Sequence, residues 1–152
     1  MAMTSISLTG AIVPGSILLS SIRPHTGAIK KSDLKLIKKS ERPKISESLD
    51  LDEAFRQEYP RENRWDYLLS VPASARIVGV EPHSAKDGDA SVVIAKKKCS
   101  TDRLRGHLYP QQRIAAWFWV ASGTVEFSLM EKVSRQLAEN GITFVGRMVS
   151  SL

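Results

Sequence analysis

Two carboxylates and a group of bases in the middle of this 152-residue chain have the side-chain types that metal-assisted hydrolysis needs. Asp66 lies inside an apolar, aromatic run, Trp65 to Val71 (WDYLLSV), where a charge is costly unless it meets solvent, a cation or a metal. Glu81 ends a second apolar run, Arg76 to Val80 (RIVGV), and His83 follows two residues later. Lys96, Lys97 and Lys98 come next. Two carboxylates at strand ends can hold Mg²⁺ through oxygen ligands. His83 or a lysine such as Lys97 could then orient an attacking water and stabilise phosphoryl charge. Each group also has a plain structural alternative: an ion pair of Asp66 with Arg64, one of Glu81 with Arg76 or Lys86, a loop position for His83, and a solvated helix face for the lysines.

The net charge of +6 is concentrated near the start of the chain. Residues 1–48 carry 8 Lys and Arg against 3 acids, whereas residues 49–152 carry 14 against 13. Within the first part, Lys30, Lys31, Lys35, Lys38, Lys39, Arg42 and Lys44 are interrupted only by Asp33 and Glu41 among the acids. This reads as a basic arm or edge hairpin over residues 1–48, preceding a near-neutral core domain over residues 49–152. Such an arm suits a polyanion, nucleic acid above all, with Lys96 and Lys98 as further contacts. It contains no interleaved aromatics for base stacking, so its contacts would be to phosphates. A solvated tail, or a surface for a protein partner or a second copy, is the alternative.

The elements that must position these groups follow from periodicity and turn chemistry. Thr4 to Leu8 alternates like a strand, and Pro14-Gly15 is a turn signal. The same acid-free, Ser-rich start is also compatible with an organelle transit peptide, but it lacks the charged opening and apolar stretch of a secretory signal. Asp50 with Glu53 forms a capping-box pattern for a short helix that must stop before Pro60. WDYLLSV and RIVGV read as strands, the second continuing into Glu81-Pro82-His83. Asp87-Gly88 permits either a hairpin into a strand at Ser91 to Ala95 or a helix, capped by Asp89 or Ser91, that runs through the lysines to about Leu104; the helix is preferred because Cys-Ser-Thr-Asp-Arg-Leu offers no strand exit. Such a helix is expected to bury Val92, Ala95 and Cys99, with the lysines on the other side. Ile114 to Val120 (IAAWFWV) is continuously apolar, as in a central strand, and Trp117 and Trp119 are expected to pack in the core, with base stacking as the alternative. Ser128 and Glu131 resemble a second capping box for a helix bearing Leu129, Val133 and Leu137, stopped by Asn140-Gly141 before a final strand at Ile142 to Met148. The expected fold is a single α/β domain with a central mixed sheet flanked by helices.

Several classes are excluded or unsupported. The lone Cys99 forbids an intrachain disulfide, and His25 and His107 have no carboxylate or Cys at ligand spacing. There is no stretch of 18 apolar residues, so no membrane partner is expected and the chain is read as cytoplasmic. P-loop, dinucleotide and serine-hydrolase motifs are lacking.

The order helix, Asp-bearing strand, Glu-bearing strand, helix, strand resembles the PD-(D/E)xK nuclease superfamily over about residues 50–148. The resemblance implies that Asp66 and Glu81 bind Mg²⁺ from neighbouring strands. It also implies that a lysine assists the water. His83 stands where the superfamily has that lysine, so the role would fall to His83 itself or to a lysine migrated to the following helix, Lys96 or Lys97. Glu53 or Glu58 would match an extra helical acid seen in some members. The competing reading is a non-enzymatic binding subunit of a nucleoprotein or defence complex, attached through its basic arm. The two are separated by whether Asp66 and Glu81 share a face of the sheet.

Overall fold

The computed structural model describes residues 6–126 and 131–152. Six strands form one mixed sheet whose spatial order follows the sequence: β1 (Ile22–Pro24), β2 (Glu47–Asp50), β3 (Tyr67–Val71), β4 (Arg76–Ala85), β5 (Ala116–Val125) and β6 (Ile142–Phe144). The first four strands pair antiparallel with one another, β5 pairs parallel with β4, and β6 pairs parallel with β5. Parallel pairing requires crossovers. These are α4 (Asp89–Leu104) between β4 and β5, and α5 (Glu131–Glu139) between β5 and β6. Three short helices, α1 (Leu8–Ala11), α2 (Lys31–Leu34) and α3 (Leu51–Phe55), complete the fold. This is the α/β architecture expected from the sequence.

Both faces of the sheet are buried, by different parts of the chain. Leu68, Ile77, Trp117 and Trp119 join Val93 and Leu104 of α4 and Leu137 of α5 in one cluster. Tyr67, Leu69, Val78, Val80, Phe118 and Val120 form the other with Ile29, Ile37, Ile45 and the C-terminal Val149 and Leu152. The alternation along each strand is the period-two pattern of a pleated sheet. It has one consequence in β4: Gly79 faces the tryptophans, and a Cβ there would come within 2.7 Å of Trp117 Cε3 and 2.9 Å of Trp65 Nε1.

Local signals hold at several points. Asp50 Oδ1 accepts from the Glu53 amide at 2.9 Å and caps α3. The preferred helix over 89–104 is α4, and Gly141, with φ of 67°, closes α5. Three expectations are corrected. Leu8 opens a helical turn capped by Ser7 rather than ending a strand, because the Ser7 hydroxyl accepts the Gly10 amide at 3.0 Å. In α4 the buried positions are Ala90, Val93, Ser100 and Leu104, not Val92, Ala95 and Cys99; the helix is rotated by about one residue. The final strand ends at Phe144, well before Met148. The Ser128 part of the second capping box, together with Leu129, lies outside the described residues.

The basic first third is not a free arm. Ile29, Ile37 and Ile45 recur every eight residues and sit against the sheet, while Lys30, Lys31, Lys35, Lys38, Lys39 and Lys44 between them are exposed. The Leu36 and Val149 backbones hydrogen bond, and Tyr67 donates from its hydroxyl to Asp33 at 2.6 Å. Ile22–Pro24 does form the outer strand of an edge pairing with β2. Removing residues 1–44 therefore strips one sheet face, and circular dichroism with urea titration is expected to show loss of cooperative unfolding. The single change Ile37→Ala should cost about 2–5 kcal/mol.

Candidate functional site

The β3–β4 hairpin brings Asp66 and Glu81 together. Its register pairs Val71 with Arg76 and Tyr67 with Val80, so one further step sets Asp66 opposite Glu81. Directly opposed residues of an antiparallel pair point to the same face. That face is the one covered by α4, the next element of the chain, which supplies Lys96.

Glu81 has no exposed surface, so its carboxylate must be satisfied internally. The Asp66 amide donates to Oε1 at 2.8 Å and Lys96 Nζ donates to Oε2 at 2.6 Å. The same ammonium lies 3.9 Å from Asp66 Oδ1. Two carboxylates on adjacent strands thus share one lysine. His83 Nδ1 stands 3.7 Å from Glu81 Oε2, and its Nε2 is 3.5 Å from Asp89 at the start of α4. Asp89 in turn accepts from Ser84 Oγ at 2.7 Å and from the Lys86 amide at 2.8 Å. The structural alternatives go elsewhere: Arg64 pairs with Asp52 at 3.0 Å, Arg76 reaches the Leu152 carbonyl, and Lys86 lies 3.8 Å from Glu126.

The charge count of this cluster is uneven. Burial, followed by the mutual repulsion of the two acids, raises the Glu81 carboxyl, and burial likewise raises Asp66 to about 6. Burial opposes the charge of Lys96, but the adjacent Glu81 outweighs it and holds the lysine above its ordinary range. His83 is pushed down by burial and by Lys96, which favours the neutral imidazole. Two acids facing one cation leave the site short of positive charge, and the extra proton belongs to the pair rather than to either acid.

Among the described residues, no group of three or more His, Cys, Asp or Glu is placed to hold a metal ion. An all-protein cage is therefore not formed. Mg²⁺ commonly takes only one or two carboxylates, with water and substrate phosphate completing the octahedron; here both Glu81 oxygens already accept from protein donors, so an ion would enter only by displacing Lys96 from Oε2. Asp66 and Glu81 are the residues that would hold it.

The other sequence candidates are dispersed. Lys97 does not enter the cluster: its Nζ donates to the Asn140 carbonyl at 2.6 Å and lies 5.7 Å from the Trp117 ring centroid. Lys96, grouped by sequence with the nucleic-acid contacts, is instead turned onto the acids, whereas Lys98 is exposed. Lys30, Lys31, Lys35, Lys38 and Lys39 belong to the segment over the opposite sheet face, and Arg42 donates from Nε to the Ile37 carbonyl at 2.9 Å. Glu53 sits on the surface against Arg56 at 3.1 Å, away from the acid pair. Asp89, expected with Ser91 as a candidate cap, does not cap α4: Gly88 holds that position without a side-chain bond, and the Asp89 carboxylate turns back to His83, Ser84 and the Lys86 amide, a role that the sequence reading missed.

No family model, curated protein or solved structure matches this chain. No helix among the described residues is long and apolar enough to cross a membrane.

The raised acids give a signed pH dependence. Ordinary carboxyl values near 4 apply in the unfolded chain. A raised folded-state value means that the stabilising contribution is complete below that range and is lost as pH climbs through the folded value, about 8 for Glu81. Glu81→Gln removes one of the competing charges, so its melting temperature should gain on that of the wild type between about pH 4 and 8. A difference that stays constant across that range would refute the assignment. Lys96→Met leaves both acids without their cation and should cost on the order of 3–5 kcal/mol at pH 8, and less at pH 5, in denaturant titrations.

Proposed function

We propose that this protein is a metal-dependent nuclease, similar to the PD-(D/E)xK superfamily, hydrolysing phosphodiester bonds of nucleic acid. The observation that carries the reading is the convergence of Asp66 and Glu81, from neighbouring strands, on Lys96 of the following helix. Support also comes from the element order: α3, an Asp before β3, a Glu within β4, then α4 and a parallel β5. The migrated lysine is Lys96 in this reading, in place of Lys97.

Asp66 and Glu81 would hold Mg²⁺, which when bound supplies charge neutralisation at the phosphate and a more acidic water. Lys96, already within reach of both carboxylates, is positioned to donate a hydrogen bond to the attacking water or to a non-bridging phosphate oxygen. His83, kept neutral and braced by Asp89, can accept a proton from water at the edge of the cluster. Two carboxylates facing one ammonium leave a negative excess that a divalent cation would balance.

The second reading is a binding subunit in which the cluster is a closed structural ion pair. It is favoured by the full occupation of both Glu81 oxygens by protein donors. Incubation of purified protein with single- and double-stranded DNA and with RNA, in Mg²⁺ or Mn²⁺, separates the two. Cleavage that falls on the order of 10²-fold or more in Glu81→Gln, Asp66→Asn and Lys96→Met is the expected result. The combined Asp66→Asn and Glu81→Gln change should cost little beyond either one. If no substrate is cut and calorimetry finds no Glu81-dependent metal binding, the nuclease reading fails.

A further inference from the structure

A separate cleft lies along the C-terminal half of α4, facing the loop that leads into β5. Its volume is about 390 Å³. That falls within the range of about 300–1,000 Å³ occupied by small-ligand sites. Lys97, Arg105 and Arg113 line it, and no carboxylate does. Beside it, a shallower groove adds Lys98 and brings in one acid, Asp102, which faces Arg105 at 3.5 Å. No carboxylate among the described residues forms an ion pair with Lys97 or Arg113. This corner of the molecule therefore carries uncompensated positive charge, held on two elements that face each other.

Two further observations specify more than a generic anion. The Thr101 hydroxyl on the cleft wall is buried and has no hydrogen-bond partner among the described residues. A buried polar atom of that kind calls for a group that the protein itself does not provide. The remaining wall is apolar, with Leu104, Leu108 and Ile114, and Tyr109 stands partly exposed at the rim. A bare phosphate would fill only a small part of such a volume and leave the apolar wall wet. An anion attached to a flat, partly apolar body satisfies both halves, with guanidinium groups binding the phosphate and an aromatic ring taking the flat face.

We propose that this cleft binds one nucleotide unit, with its phosphate on Arg105, Arg113 and Lys97 and its base against Tyr109 and the apolar wall. The unit is either a free mononucleotide or one residue of a single strand. The site is distinct from the Asp66–Glu81–Lys96 cluster: it needs no metal, and it stands whether or not that cluster cuts nucleic acid.

The test is calorimetric titration of the wild-type protein at low salt without divalent metal, with dTMP, thymidine, inorganic phosphate and 5′-phosphorylated tetrathymidylate as probes. dTMP or the tetranucleotide should bind, with thymidine and phosphate at least about tenfold weaker. Equal affinity for the two nucleotide probes assigns the cleft to the free unit, and a marked preference for the tetranucleotide assigns it to a strand. Arg113→Ala and Arg105→Ala, both at exposed positions, should each weaken binding about tenfold, the effect of losing one charged hydrogen bond. Thr101→Val should weaken binding while leaving the melting temperature unchanged or higher. Absence of nucleotide binding at millimolar concentration, phosphate binding as well as dTMP, or affinity indifferent to both arginine substitutions would overturn the proposal. The binding is read without divalent metal and without cleavage, so a failure of the nuclease reading leaves this result untouched.

Discussion

A carboxylate with no exposed surface is tolerated only when its lone pairs are filled and its charge is balanced. Glu81 meets both conditions through the Asp66 amide and the Lys96 ammonium, and much of the surrounding architecture follows from that. The amide contact ties the entry of β3 to β4 one step past their last ladder pair. The ammonium contact fixes how α4 is rotated about its axis. With Lys96 on the acids, Lys97 falls into the stripe of Ala90, Val93, Ser100 and Leu104, and its long side chain has to reach the Asn140 carbonyl to keep its charge satisfied. The polar Ser100 in that stripe is explained by the same docking, since its hydroxyl accepts the Trp65 amide at 2.8 Å.

Sheet packing supplies the rigidity this arrangement needs. Trp65 and Trp117 meet edge to face, with ring centroids 5.0 Å apart, over Gly79. A β-carbon at Gly79 would force the tryptophans outward, and with them the start of β3. The first parallel crossover comes after β4, and its helix α4 covers the face that carries the acids, while the basic segment of residues 29–45 covers the other. The lysines of that segment and the acid cluster therefore belong to different sides of the molecule. Positive charge on the α4 side comes instead from Lys97, Lys98, Arg105 and Arg113, around the second cleft.

Those constraints also sort what could be read in advance. Strands β3 to β5 and the short helix α3 with its Asp50 cap were legible, because the apolar runs and the cap that mark them lie within or beside the elements themselves, and α4 was legible as the preferred of two readings. The facing of Asp66 and Glu81 was within reach as well. A hairpin closing at Val71 and Arg76 pairs positions by simple counting outward, which lands on these two residues. The choice among three adjacent lysines was not legible. Neighbouring helical positions differ by about 100° around the axis, and nothing local marks which of them faces the sheet when the buried stripe itself contains a lysine and a serine.

The sequence by itself determined the α/β class, the succession of elements and the presence of two acids at strand ends, since hydrophobic period, capping and turn chemistry are local properties. Only the tertiary structure decided that the basic segment is a cover for the sheet and not an arm. Its anchors, Ile29, Ile37 and Ile45, are eight residues apart with exposed lysines and no sustained helix or strand pattern between them, and they acquire meaning only against Val78, Val80 and Phe118. Only the tertiary structure, too, gave Lys96 to the acids and Lys97 to the neighbouring cleft. Burial and charge pairing between distant elements made that assignment, and no window of the sequence contains both partners.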